Sequence, residues 1–146
     1  WLNFFAIALE TFTDLELEWY LNDWTRTTNK VDYDLEIFDK DSRDLSIKRI
    51  GRIPMPLEVL ISFGDGSKDM YYIPIDLMQG NKTFYNNVVI LEPWSWVNTE
   101  YVFEIQGNKK IIKIEIDPSK RLADVNQNKN ILEFLEWLNH LKAKKK

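Results

Sequence analysis

From Val31 to Ile116 the apolar residues of this chain recur, segment after segment, with a period of two. Val31, Tyr33, Leu35 and Ile37 alternate with Asp32, Asp34 and Glu36. Leu45 and Ile47 open a second run toward Arg49, closed by Gly51, and Leu57, Val59, Ile61 and Phe63 form a third. Tyr101, Phe103 and Ile105 and then Ile112, Ile114 and Ile116 form two more. Successive side chains of a strand point to opposite faces, so each run buries one face and leaves the other wet. Turn chemistry separates the runs. Gly64-Asp65-Gly66-Ser67 predicts a tight hairpin with the positive φ angles of a primed turn, and Met70 to Ile75 returns as its partner. Pro74 marks a strand end or a sheet edge. Pro54 and Pro56 bracket Met55 in an extended link, and Asp39 to Asp44 reads as a polar turn. Val88 to Leu91 is a short strand between the polar loop Gln79 to Asn87 and the tryptophan-rich loop Pro93 to Thr99. Gly107-Asn108 predicts the turn of a last hairpin joining Tyr101–Ile105 to Ile112–Ile116.

The flanks keep a helical period. Leu2, Phe5, Ala6 and Leu9 fall on one helix face, with a break expected at Thr11 to Thr13. Thr13-x-x-Glu16 reads as a capping box, in which the hydroxyl and the carboxylate each satisfy a free backbone amide. It would open a second helix with Leu17, Leu21 and Trp24 as its stripe, ending around Arg26 to Asn29. Asn130-x-x-Glu133 reads as the cap of a final helix with Ile131, Leu135 and Leu138 on one face and Phe134 and Leu141 beside it. The expected fold is mainly β: an immunoglobulin-like antiparallel β-sandwich of about seven strands, preceded by two short helices and followed by a C-terminal helix. Residues 1–29 would be the helical end of an upstream domain, residues 30–130 the sandwich, and residues 131–146 the last helix with a basic tail.

Reactive chemistry is scarce. In 146 residues there is no cysteine and one histidine, His140. That removes disulfides, thiolate zinc sites, thiol catalysis and a His-Glu-x-x-His metal motif from the chain's own means. There is no Gly-x-Ser-x-Gly elbow, no phosphate-binding Gly-x-x-x-x-Gly-Lys loop and no dinucleotide fingerprint. Asp32 with Asp34 and Asp39 with Asp41 are spaced for acid–base or calcium chemistry, but they also suit the wet face of a strand and its turn, and the glycine and distal glutamate of a calcium loop are missing. His140, near a lysine-rich helix end, reads as a surface or capping residue. No catalytic, cofactor-binding or metal-binding residue is nominated. No run is long and apolar enough for a transmembrane helix. The chain starts at Trp1 rather than methionine and reads as a piece of a longer one.

Charge is uneven. Glu10 to Asp44 holds eleven acids against four bases, and Lys109 to Lys146 ten bases against five acids. A net charge of −4, and lysines not interleaved with aromatics, argue against nucleic acid as a partner. The cluster of Lys142, Lys144, Lys145 and Lys146 reads as a solvated end. The remaining feature is the aromatics, six of them tryptophan. Trp94 and Trp96 flank Ser95 after Pro93. On a sandwich face they could stack on a sugar or contact a protein ligand. Alternatively they clamp their loop against the sandwich or a neighbouring domain. Trp1, Trp19 and Trp24 belong to the helical start, which would be partly bare without its neighbour and so open to self-association.

The order of several blocks adds to this reading. Phe5-Ala6-Ile7-Ala8, Asp14-Leu15-Glu16-Leu17-Glu18-Trp19-Tyr20-Leu21-Asn22-Asp23-Trp24 and Thr27-Thr28 resemble the close of the catalytic region in zinc aminopeptidases of the aminopeptidase N type. Val31 to Ile37, Met55-Pro56-Leu57-Glu58-Val59 and Phe63-Gly64-Asp65-Gly66 look like the β-sandwich that follows that region, and Tyr72-Ile73-Pro74-Ile75-Asp76-Leu77-Met78, Pro93-Trp94-Ser95-Trp96 and Ile114-Glu115-Ile116-Asp117-Pro118-Ser119-Lys120-Arg121-Leu122-Ala123-Asp124-Val125-Asn126 resemble the C-terminal part of Bacteroidetes-like members, so that the likeness runs to about Asn130. It implies a parent that removes N-terminal residues with a zinc-activated water, placed in the periplasm or secreted. The family's zinc ligands, general base and transition-state tyrosine lie upstream and have no counterpart here. The resemblance therefore implies a non-catalytic accessory segment without a cofactor of its own. Its partner would be the upstream catalytic domain. The alternative is a free-standing binding module using Trp94 and Trp96.

Overall fold

The computed structural model describes residues 2–39, 43–78 and 87–134. Two helices, α1 (Leu2–Thr13) and α2 (Glu18–Arg26), precede eight strands: β1 (Tyr33–Phe38), β2 (Asp44–Arg49), β3 (Leu57–Phe63), β4 (Lys68–Ile73), β5 (Val88–Ile90), β6 (Glu100–Glu104), β7 (Ile111–Ile116) and β8 (Ile131–Glu133). The strands form two sheets, β1-β2-β6 and β5-β4-β3-β7-β8, an arrangement consistent with a β-sandwich. Apolar side chains from both sheets close one core, from Tyr33, Leu45, Ile47 and Phe103 on the smaller sheet to Val59, Ile61, Tyr71, Ile114 and Ile116 on the larger.

β3 follows its sequence pattern most closely. Leu57, Val59, Ile61 and Phe63 are buried, and the residues between them are half-exposed. β3 pairs β4 on one side and β7 on the other, so its buried face is the centre of the larger sheet.

Five expectations give way to other arrangements. First, α1 does not break at Thr11. The Thr11 and Thr13 hydroxyls donate to the carbonyls of Ile7 and Leu9, at 2.7 Å each, and so satisfy themselves inside the helix. α1 ends at Asp14, which takes a left-handed φ of 55° and donates its amide to Glu10 O. Second, the Thr13/Glu16 capping box does not form. α2 starts at Glu18 after Leu17, without a side-chain cap, and the Leu17 amide donates instead to Glu10 Oε1 at 2.8 Å. Third, the hairpin at Gly64 is not a primed turn. Only Gly66 has a positive φ, 86°, while its amide donates to Phe63 O and the Phe63 amide donates to Ser67 O. That is a type I turn with a glycine bulge. Fourth, β6 and β7 are not a hairpin. β6 pairs β2 in the smaller sheet and β7 pairs β3 in the larger, so Gly107-Asn108 carries the chain from one sheet to the other. The Tyr71 hydroxyl accepts the Gln106 amide at 3.1 Å and ties this crossing to β4. Fifth, Ile131–Glu133 is a strand, antiparallel to β7, not the start of a helix. Leu132 and Phe134 turn toward the core while Ile131 and Glu133 stay exposed, and the Phe134 amide donates to Ile112 O.

The sheets are not wholly antiparallel. β5 runs parallel to β4, and the parallel bridge of Ile75 with Trp94 extends that pairing beyond it. The strands number eight among the described residues, β8 being the one the sequence reading took for a helix. The remainder of the expected C-terminal helix, with Leu135, Leu138, Leu141, His140 and the lysine cluster, lies outside the described residues, as does most of the loop from Gln79 to Asn87.

Candidate functional site

Trp94 and Trp96 are separated by the structure. Trp94 is 3% exposed and belongs to the core, whereas Trp96 is 53% exposed. The Trp94 ring lies 5.8 Å from that of Tyr33 and 5.3 Å from that of Tyr101, and its indole N–H donates to Asn98 O at 3.0 Å. Its backbone is held as in a sheet: the Trp94 amide donates to Pro74 O at 2.7 Å, and the Asp76 amide to Trp94 O at 3.1 Å. Trp94 thus fastens its loop to both sheets, and the two indoles do not present a shared stacking face.

Trp96 is aimed outward by polar contacts on its backbone. Its amide donates to Asp76 Oδ1 at 3.0 Å. The Arg49 guanidinium donates to the carbonyls of Trp96, Asn98 and Arg52, so one cation anchors the loop to the end of β2. Next to Arg49 the backbone of residues 50–53 packs on that of residues 30–32. The Ile50 and Gly51 amides both donate to Asp32 O, and the Ile53 amide donates to Lys30 O. A Cβ on Gly51 would collide with the Lys30 carbonyl oxygen and the Asp32 amide nitrogen, so this approach requires glycine.

These segments and α2 line a shallow, open groove of about 680 Å³. Trp19 lines it from α2 and Trp96 from the loop, with Asn22, Asp23, Asn29 and Arg52 among the polar walls. Trp19 is half-buried and packs against the core, its indole N–H donating to Glu16 O at 3.0 Å. Trp24 is outside the groove. It is 40% exposed, with its ring 5.8 Å from that of Tyr20. Of the five tryptophans singled out in the sequence, Trp1 lies outside the described residues; the fold brings together Trp19 and Trp96, buries Trp94 and leaves Trp24 outside the groove. Sequence reasoning missed Asn22, Asp23, Asn29 and Arg52. No spacing signals them, because only the docking of α2 on the 49–54 segment and the 96–99 loop makes them neighbours.

The titratable groups with displaced pKa values serve the scaffold. Burial pushes the Tyr33 phenol up to about 12, against hydrogen bonding with the Met55 backbone, which pulls the other way. That hydroxyl accepts the Met55 amide at 2.8 Å and donates to Met55 O at 3.2 Å. Asp65, in the β3–β4 turn, is lowered to about 2, first by its hydrogen bonds with the Ser67 hydroxyl and amide and then by Lys109. Asp124 is buried between the start of β1 and the last turn of the fold. Its carboxylate accepts the Tyr33 amide at 3.0 Å, the Asn126 amide at 2.7 Å and the Asn130 side-chain amide at 3.1 Å. Asp32 and Asp34 do not form a pair with further acids: among the described residues no three His, Asp or Glu side chains gather as a metal ligand set. Asp34 is instead ion-paired with Lys129 at 3.4 Å. Among the same residues no helix is long and apolar enough to cross a membrane. Compared with protein-family models, curated proteins and solved structures, the chain matches none.

Proposed function

We propose that this chain is the non-catalytic, accessory end of a larger protein of the zinc aminopeptidase type, with an immunoglobulin-like sandwich that packs beside an upstream catalytic domain. The observation that supports this reading is α1. Phe4, Phe5, Ile7 and Phe12 are 81%, 58%, 60% and 90% exposed, and the helix carries no basic residue and only Glu10 as an acid. Soluble chains seldom leave so many large apolar side chains of one helix in water unless another surface covers them. The block resemblance in residues 5–28 names the catalytic domain as that cover. Zinc and the peptidase activity belong to the parent in this reading, and no step is assigned to residues of this chain.

Two measurements test the proposal. The pure chain, with and without added zinc, is expected to leave an aminoacyl-p-nitroanilide intact, and turnover above a heat-treated control would overturn the reading. The upstream reading frame is expected to encode His-Glu-x-x-His with a downstream glutamate, and a frame without them would remove the parentage.

A further inference from the structure

The groove between α2 and the sandwich combines aromatic walls with unspent polar side chains. Among the described residues, the Asn22, Asp23, Asn29 and Arg52 side chains form no hydrogen bond or ion pair with protein; the contacts there use backbone atoms of Asp23, Asn29 and Arg52. The backbone that carries the walls is fixed without them. Trp19 is held through its indole N–H, and Trp96 through its amide and carbonyl. A site whose walls are set beforehand loses less entropy on binding. Its volume of about 680 Å³ suits a small ligand rather than a protein surface.

The mixture of groups narrows the ligand. Indole faces carry negative potential and attract the positive edge of C–H bonds. Carboxamides and a carboxylate accept from, and carboxamides and a guanidinium donate to, hydroxyl groups. A pyranose ring offers both partners: apolar C–H faces and a girdle of hydroxyls. Charge favours an uncharged one. Asp23 opposes Arg52 in the lining, and the Arg49 guanidinium, which keeps its charge, turns its N–H groups to three carbonyl oxygens of the groove wall, so only a small net positive charge is left for a ligand to meet. We propose that this groove binds a neutral saccharide, with Trp96 as the exposed stacking face, Trp19 as the inner apolar wall, and Asn22, Asp23, Asn29 and Arg52 bonding to ring hydroxyls. The inference uses neither α1 nor a contact with a neighbouring domain, but it shares α2 with the accessory reading, since Trp19, Asn22, Asp23 and Asn29 belong to residues 1–29.

Isothermal titration calorimetry on the full chain tests it, with cellohexaose, chitohexaose and mannohexaose as neutral probes and hexagalacturonate as the anionic one. At least one neutral probe is expected to bind at micromolar to millimolar concentration. Trp96→Ala is expected to weaken that binding about ten-fold, the equivalent of one good contact, and Asn22→Ala about three-fold. Both side chains lie outside the core, so melting temperatures should hold. If Trp96→Ala proves unstable, Trp96→Leu and Asn22→Ala carry the test. No binding of any neutral probe at millimolar sugar, equal binding by wild type and variants, or tighter binding of hexagalacturonate would each overturn the proposal.

Discussion

Trp94 and Trp96 are one serine apart, and the loop between β5 and β6 gives them opposite surroundings. Trp94 is enclosed by Tyr33 and Tyr101, with its N–H satisfied; Trp96 projects into solvent from a backbone pinned by Asp76 and Arg49. Truncating a buried aromatic costs about 3–5 kcal/mol, and changing an exposed one about 0.5 kcal/mol or less. Trp94→Ala should therefore shift the urea midpoint strongly, and Trp96→Ala should leave it nearly unchanged. Tyr33 gives a prediction of a different kind. Its phenol is raised from 10.0 to about 12 in the fold, chiefly by burial. The folded chain holds that proton more tightly than the unfolded chain does. The resulting stability is whole below pH 10.0 and is lost as pH rises from there toward about 12. Tyr33→Phe should flatten the alkaline limb of stability against pH. It should also cost about 1–3 kcal/mol at neutral pH, because the Met55 amide loses its acceptor. Urea unfolding at a series of alkaline pH values measures both effects.

Elements show where period reading succeeds and where it stops. β3 was legible because it has a buried face and a half-exposed face, and the alternation records that difference. The Gly107-Asn108 turn was legible as a turn but not as a crossing. Glycine at φ 84° says that the chain bends, and nothing local says which sheet receives the next strand. β8 was misread because Ile131, Leu135 and Leu138 satisfy a helical spacing, while the burial of Leu132 and Phe134 obeys a period of two that only two residues display. The groove was half legible: its tryptophans attracted notice, and its amides did not. Two element junctions yield predictions. Asp124 accepts from three groups that join β1 to the segment before β8. Asp124→Ala leaves those donors unpaired in the interior and should cost about 3 kcal/mol. Asp124→Asn keeps an acceptor and should cost less, which urea denaturation of the two variants will rank. Gly51→Ala forces a methyl onto the Lys30 carbonyl and should cost about 1–3 kcal/mol. Gly66→Ala has open space around it and should suffer only from its φ of 86°, about 1 kcal/mol. Thermal melts of the pair compare collision with backbone strain.

At the scale of the whole molecule, the contrast is between a closed sandwich and an uncovered helix. The core residues come from both sheets, whereas α1 shows four large apolar side chains to solvent. In isolation the chain should self-associate as concentration rises. A Phe4→Glu, Phe12→Glu double variant should stay monomeric in sedimentation velocity while keeping its melting temperature, since neither ring is buried. A variant that associates like the wild type would move the sticky surface elsewhere and weaken the accessory reading with it.

The Asp124 latch also has a consequence in time. Tyr33 meets that carboxylate 91 positions further along the chain. A ribosome adding residues at its ordinary pace needs roughly five to twenty seconds to make that stretch. Through that interval β1 has emerged but its fastening has not, so a nascent chain stalled before Asp124 should remain open to proteases that the completed sandwich resists.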